Sequence, residues 1–241
     1  MKIIKFLLFA IMTISINSCN DADPETEPII ELQDEIGKWH NIALDLFFES
    51  EAYQDLIESN TLNYHEIKRS IIKELSRNNS ALFNYREMMD NSFSPEFENI
   101  NPFGDNEKLR DRNNGRIGHE EVFKYLHEID EIGDRFFNQL IEINDQVLTN
   151  TISKENLISQ VRKMQNLNLK KKEKLYLGAF IQVMEHSNKY WESEHARIAG
   201  EHTRTVGIIW ADAAGGLYGM LCGPVCSIVE AALFSTLAAI Q

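Results

Sequence analysis

The sequence lacks the short motifs that mark the common classes of enzyme active site. It contains no Gly-x-Ser-x-Gly nucleophile motif and no glycine-rich phosphate loop of the required spacing. It also contains no His-Glu-x-x-His sequence and no cysteine and histidine spacing of the kind that binds zinc. Cys222 and Cys226 are separated by three residues, so they are not a Cys-x-x-Cys motif, although in an oxidising compartment they could form a disulfide across the Gly-Pro turn between them. We therefore expect no cofactor, and a protein without enzymatic activity is the simpler expectation.

Positive charge is also scarce. The 241 residues include 24 Lys and Arg against 37 Asp and Glu, which gives a net charge of −13. The basic cluster formed by Lys170, Lys171, Lys172 and Lys174 is typical of a solvated helix start. Binding to nucleic acid needs clustered basic side chains that neutralise phosphates, so the charge balance argues against nucleic acid as a partner.

The first residues have the features of a secretory signal. Two lysines precede an apolar run at residues 6–14, which is too short to be a membrane-spanning helix. The run is followed by Ile-Asn-Ser-Cys, which resembles a lipobox, so residues 1–18 are predicted to be a lipoprotein signal peptide and Cys19 the acylated new N-terminus. Asn17 departs from the small residue usual at its place, and an ordinary signal peptide that happens to contain a cysteine is the alternative.

The signal is followed by an acidic spacer. Residues 19–30 hold two prolines and several acidic side chains, a composition typical of a disordered tether. Without the two lysines of the signal, the net charge falls from −13 to −15. We expect the remaining residues, 31–241, to fold as a single domain. That domain would be held in the cell envelope by a lipid such as palmitate, on the outer membrane and facing the periplasm or the cell surface.

The hydrophobic pattern is helical almost throughout. Apolar residues near the start of the domain are spaced by four and three, as on one face of a helix: Leu32, Ile36, Trp39, Ala43 and Leu46. The clearest helix is predicted at residues 119–148, where the same spacing joins Val122, Leu126, Ile129, Gly133, Phe136, Leu140, Ile143 and Val147. No sustained period-two run is present. The sequence therefore predicts an all-α helical bundle of about seven to nine helices.

Two helix starts and one irregular segment can be placed in this pattern. Asn63, with a glutamate three residues later, is typical of a capped helix N-terminus, and Ser153 is predicted to begin another helix. No period survives in residues 91–118. A connection of this length is usually functional or disordered. Because it contains several phenylalanines, we expect it to lie against the helices.

The C-terminal residues 206–241 differ from the rest of the chain in having only two charged side chains, Asp212 and Glu230. Every fourth residue in this stretch is small: Gly207, Ala211, Gly215, Gly219, Gly223, Ser227, Ala231, Ser235 and Ala239. On a helix these residues share one ridge, so another helix could approach it closely.

A proline in this stretch predicts a turn. Gly223 and Pro224 would break a continuous helix, which leaves two helices at about 206–221 and 226–240 folded back on each other as a hairpin. Each would be about 24 Å long, which is short of the ~30 Å hydrocarbon core of a bilayer. Two interpretations remain open: a hairpin packed in the core of the domain, or a membrane-active tail of the bacteriocin-like or pore-forming kind.

One group of histidines is a candidate metal site. Glu192 and His195 have the Glu-x-x-His spacing used by ferritin-like di-metal centres, and His202 lies seven residues further on the same helix face. Such centres need a second Glu-x-x-His, and the chain has none. The alternative is that these side chains are exposed or capping residues of a glutamate-rich helical protein.

Three short stretches, in this order, carry a family resemblance. They are IGKWHNIALD with Gly37, His40 and Asn41, then SNKYWESE with Trp191, then ADAAGG beginning beside Asp212. Together they resemble an uncharacterised family of secreted proteins and lipoproteins of Bacteroidota, with a His-Asn-x-x-Leu helix near the start and a C-terminal tail rich in small residues. The resemblance covers most of the chain after the signal. The family has no established activity, so it implies no catalytic residues.

Asp212 needs a partner if the tail is buried. An aspartate at the head of a nearly uncharged stretch must be matched by a cation or by hydrogen-bond donors. Our hypothesis is that His40, Asn41 or Arg204 holds Asp212 and so locks the tail to the first helix. A catalytic dyad is the alternative.

These observations predict a lipid-anchored helical protein of the cell envelope that acts by binding or interaction. Its predicted partners are the membrane, reached through the lipid, and a protein or small-molecule ligand that the sequence does not identify. A membrane-active protein that inserts its C-terminal tail is one alternative. A metal-dependent enzyme that uses histidine and glutamate on the bundle helices is another.

Overall fold

The protein is all-helical where its structure is described. The computed structural model describes residues 34–59, 63–94, 119–192 and 205–240, and within these ranges it contains ten α-helices and no strand. The predicted all-α class and helical bundle are therefore confirmed. Leu32–Gln241 forms one compact unit. The predicted signal peptide and tether, and most of the irregular segment at 91–118, lie outside the described residues.

The helices follow one another with short connections, and we number them in chain order. They are α1 Ile36–Phe48, α2 Glu51–Ser59, α3 Tyr64–Asn78, α4 Tyr85–Ser92, α5 His119–Glu128, α6 Asp134–Leu148, α7 Lys154–Lys163, α8 Lys171–Glu192, α9 Thr205–Gly219 and α10 Pro224–Ile240. A short 3-10 helix, Met164–Asn166, follows α7. Two predicted helix starts are confirmed: Asn63 Oδ1 accepts from two backbone N–H groups at the start of α3, and Ser153 Oγ accepts from Asn156 N at the start of α7.

The single helix predicted at 119–148 is wrong in one respect, because the structure divides it into α5 and α6. Asp130 has a φ of 57°, a left-handed conformation that ends α5. Gly133 is extended and precedes α6, and its N–H donates to the Glu173 carboxylate at 2.7 Å. As a result Ile129, predicted to be buried, is 41% exposed, whereas Ile132 is 1% exposed.

The last two helices occupy the centre of the domain. Residues 208–219 and 226–237 are all buried. Helices α9 and α10 pack along each other, α8 covers α9, and α1 and α3 cover α10. A helix that is apolar around its whole circumference is expected in such a position. Among the described helices, none has both the length and the apolar character needed to cross a membrane.

Small residues allow α9 and α10 to approach closely at one end. A Cβ atom placed on Gly215 would lie 2.5 Å from the Glu230 carbonyl oxygen, and one on Gly219 would lie 2.5 Å from Ser227 Cα. The chain turns at Gly223, whose φ of +103° favours glycine. Gly207 belongs to the same sequence pattern, but a Cβ there would have nothing within 4 Å. The small ridge is therefore required near the turn and not at the start of α9.

Candidate functional site

The most unusual chemical group in the described structure is the carboxyl of Asp212, in the middle of α9. Its residue is fully buried. Two side chains of α8 donate hydrogen bonds to the same oxygen, Oδ2: the Ser187 hydroxyl at 2.5 Å and the Trp191 indole N–H at 3.2 Å. Because Ser187 and Trp191 are four residues apart, they lie on one face of α8 and reach the carboxyl together.

His40, on α1, completes the cluster from a second side. Its Nε2 lies 3.6 Å from Asp212 Oδ2, which is beyond hydrogen-bond distance, and the residue is fully buried. Its Nδ1 lies 2.9 Å from Asn41 Oδ1. The amide nitrogen of Asn41 donates to the His186 carbonyl at 3.1 Å, which turns its oxygen toward the ring. Nδ1 therefore carries the hydrogen in the neutral ring, and Nε2 presents a lone pair to the carboxyl.

Burial decides the protonation of both groups. Burial raises the pKa of Asp212 to about 7, although the hydrogen bonds from Ser187 and Trp191 oppose the shift. Burial lowers the pKa of His40 to about 3, with the hydrogen bond to Asn41 acting in the opposite direction. Between about pH 3 and pH 7 the Asp212 carboxyl is therefore protonated and the His40 imidazole is neutral, so neither group is buried as an isolated charge.

Three atoms of the cluster have no hydrogen-bond partner within the described residues. They are Asp212 Oδ1, His40 Nε2 and Ser235 Oγ. The Ser235 hydroxyl, on α10, lies near the Asp212 carboxyl but makes no hydrogen bond of normal geometry to it. Side chains of four helices, α1, α8, α9 and α10, therefore meet around a single carboxyl.

The crossing of α1 and α8 gives Gly37, His40 and Asn41 structural roles. A Cβ atom on Gly37 would lie 2.8 Å from the backbone carbonyl carbon of Gln182 and 2.7 Å from His186 Cδ2, so only glycine allows the two helices this close. One turn later Asn41 binds the His186 carbonyl, and His40 faces Asp212. On the same side of α8, the Tyr190 hydroxyl donates to Asp45 at 2.9 Å. The Gly-x-x-His-Asn pattern thus has a structural role at this crossing.

Glu230, the other acidic residue of the C-terminal stretch, also has a partner on a helix outside that stretch. Glu230, on α10, forms a buried ion pair with Lys68 of α3, and both side chains are at most 2% exposed. The Lys68 ammonium lies 5.5 Å from the ring centre of Tyr64 and 5.1 Å from that of Phe93. Cation–π contacts of this kind offset part of the loss of hydration. Both ionisable side chains of α9 and α10 are therefore contacted by side chains of the surrounding helices.

The structure brings together only part of the predicted lock. His40, one of the three candidate partners, lies beside Asp212. Asn41 is not a partner of Asp212, because its side chain is used by His40 and by the His186 carbonyl. Arg204 lies outside the described residues. The direct hydrogen-bond donors, Ser187 and Trp191, were not assigned this role by the sequence.

The other predicted site residues are placed as follows. Glu192 forms an ion pair with Lys154, while His195, His202 and the lipidation residue Cys19 fall outside the described ranges. Within those ranges no group of three or more histidine, cysteine or acidic side chains is arranged to hold a metal ion. The structure joins Cys222 and Cys226 in a disulfide.

The Asp212 cluster is better suited to holding helices than to acting on a substrate. An acid–base catalyst must come within hydrogen-bond reach of the group that it protonates or deprotonates. Asp212, His40 and Ser187 are each 0% exposed, so a substrate has no access to them in this conformation. No family model, curated protein or solved structure matches the chain, so its geometry is the main guide to its function.

Proposed function

We propose that the chain is a lipid-anchored protein of the cell envelope whose helical domain works by binding or interaction. The enclosure of the Asp212 carboxyl by Ser187, Trp191 and His40 supports this proposal. The cluster is the most chemically distinctive one in the described structure, and its hydrogen bonds fasten α9 to α8, with His40 of α1 packed beside them. A domain whose most perturbed carboxyl serves its own packing fits a binding module better than an enzyme.

The location rests on the sequence. A basic start, an apolar run and Cys19 at the end of that run fit a lipoprotein signal, and the acidic residues that follow fit a tether. The resemblance to Bacteroidota lipoproteins agrees with this location. A net charge of −15 without the signal makes a protein or a small molecule a better partner than nucleic acid.

The membrane-active alternative requires α9 and α10 to leave the domain. They would have to release a buried ion pair, Lys68–Glu230, and the hydrogen bonds of Asp212. Breaking a buried ion pair by removing one partner typically costs about 3–5 kcal/mol. The proposal therefore attributes membrane attachment to the lipid alone.

Membrane attachment of the full chain, expressed in a Gram-negative host, tests the proposal. The wild type should enter the detergent phase and carry acyl mass on Cys19, whereas Cys19→Ser should be soluble. The double variant Cys222→Ser/Cys226→Ser is the matched control, because it loses two thiols but keeps Cys19, and it should remain attached. A Cys19→Ser protein that still binds membranes, or liposomes of anionic or neutral lipid, would instead favour insertion of the C-terminal helices.

A further inference from the structure

The turn between α9 and α10 brings the disulfide to the surface of the domain. Residues 220–225 are half-buried, while residues on both sides of them, 208–219 and 226–237, are buried. Cys222 belongs to the half-buried tip, whereas Cys226 is 1% exposed. The disulfide therefore has one end that an external thiol can approach and one end that is enclosed.

The surroundings of Cys226 Sγ, the enclosed end of the disulfide, would stabilise a negative charge on that sulfur. Ser92, at the end of α4, is 1% exposed, and its Oγ lies 3.7 Å from Cys226 Sγ. A disulfide sulfur carries no hydrogen, so the hydroxyl is the donor. Cys226 is also the third residue of α10, a helix of 17 residues, and thiolates are stabilised at helix N-termini. Both features would stabilise a Cys226 thiolate more than the bonded sulfur.

We propose that Cys222–Cys226 is a redox-exchange site that accepts two electrons from an external dithiol. A thiolate of the dithiol attacks Cys222 Sγ, the Cys222–Cys226 bond breaks, and its electron pair leaves on Cys226 Sγ. The second thiolate of the dithiol then attacks the mixed disulfide and releases Cys222. The dithiol ends as a disulfide, Cys222 ends as a thiol after taking up one proton, and Cys226 ends as the thiolate that Ser92 and the start of α10 stabilise.

A purely structural role for the disulfide explains its position and surroundings less well. A disulfide stabilises a fold mainly by restricting the unfolded chain, and this effect is smallest for short loops. Here the two cysteines are only four positions apart. Exchange rates, in contrast, depend on access to one sulfur and on the stability of the departing thiolate, and both favour reaction at this site.

Reduction of the folded full chain in a Cys19→Ser background tests the proposal. Graded ratios of reduced to oxidised dithiothreitol at pH 7 are followed by alkylation and mass measurement, with circular dichroism to confirm that the helices persist. We expect two alkylations without loss of helix. In Ser92→Ala, half-reduction should need a ratio that is three- to tenfold more reducing, because a hydrogen bond to a thiolate is lost. Thr236→Val, which removes another buried hydroxyl further along α10, should keep the wild-type ratio.

Single cysteine variants test the order of attack and do not depend on Ser92. Cys226→Ser leaves the thiol at the tip, and it should form a mixed disulfide with an aromatic disulfide reagent at least ten times faster than Cys222→Ser. Equal rates, or faster reaction at Cys226, would overturn the proposal. So would alkylation that occurs only when the chain unfolds, or equal half-reduction ratios for Ser92→Ala and the wild type.

Discussion

Substitutions of His40 and Asp212 should change the pH dependence of stability in opposite directions. The two side chains lie 3.6 Å apart and are both fully buried. Burial raises the pKa of Asp212 from its ordinary value of 3.8 to about 7. Burial lowers the pKa of His40 from 6.5 to about 3. A difference in pKa between the folded and unfolded states makes the free energy of unfolding depend on pH.

The sign differs for the two groups. With a raised pKa, Asp212 contributes stability that is complete below pH 3.8 and is lost as the pH rises to about 7. With a lowered pKa, His40 contributes stability that is present above pH 6.5 and is lost as the pH falls to about 3. Each slope is about 1.4 kcal/mol per pH unit. Between about pH 4 and 6.5 the two contributions nearly cancel in the wild type.

Each substitution should expose the slope of the remaining group. In Asp212→Asn only His40 titrates, so the free energy of unfolding relative to the wild type should rise by about 3 kcal/mol from pH 4 to 6.5. In His40→Gln only Asp212 titrates, and the same difference should fall by about 3 kcal/mol. Both partners are neutral in this range, so neither substitution removes a charge that the other group senses.

Urea unfolding at pH 4, 5, 6 and 6.5, followed by circular dichroism, measures these differences. Other titrating groups, such as the buried His119, whose pKa burial lowers to about 3, contribute equally to each protein and cancel in the comparison. The substitutions also destabilise at every pH, which shifts each curve but leaves its slope unchanged. If both variants ran parallel to the wild type, neither group would change its pKa on folding and the reasoning would be refuted.

Three further predictions concern packing and buried charge, each checked by thermal or urea unfolding. Gly219→Ala should destabilise the domain by about 1–3 kcal/mol, because the added Cβ would collide with α10. Gly207→Ala, in open space on the same helix, should be neutral or stabilise the domain by up to about 1 kcal/mol. Equal effects of the two substitutions would contradict the close approach of α9 and α10 near the turn. Lys68→Met should lower the free energy of unfolding by about 3–5 kcal/mol, because it leaves Glu230 buried without its partner. The double variant Lys68→Met/Glu230→Leu should recover most of that loss, and a double variant no more stable than the single one would argue against the buried pair. Glu173→Ala should lower the free energy of unfolding by about 1–2 kcal/mol, because it removes the acceptor for two backbone N–H groups at the starts of α6 and α8. An unchanged stability would show that these caps are not formed.

Helix content could be predicted because apolar spacing reports the buried face directly. The same signal failed at residues 129–133, because the spacing of three and four continues through the break. Ile129 fits the pattern but is exposed, and the conformation of Asp130 and the cap on Gly133 determine where α5 ends. Gly133 is capped by Glu173, which is 40 residues away along the chain and therefore invisible to a local pattern.

The sequence predicts that Asp212 needs a partner, but it does not predict which residues donate hydrogen bonds to it. Asp212 stands out in an apolar stretch, so the need for a partner follows from the sequence alone. Ser187 and Trp191 are uncharged and common on buried helix faces, and nothing in the sequence marks them as donors to this carboxyl. Lys68 was also missed, although its position beside Ile67 and Ile71, on the apolar face of α3, is a signal that a lysine there is buried.

The central claim is that Asp212 locks α9 to α8, and a double-mutant cycle between Asp212→Leu and Ser187→Ala tests it most directly. Asp212→Leu preserves approximate size and removes the acceptor, and Ser187→Ala removes the donor that lies 2.5 Å away. If the lock exists, the losses in free energy of unfolding should be coupled by about 1 kcal/mol or more, because either single change already breaks the bond. Losses that add within about 0.5 kcal/mol would show that the two side chains do not interact, and would contradict the account.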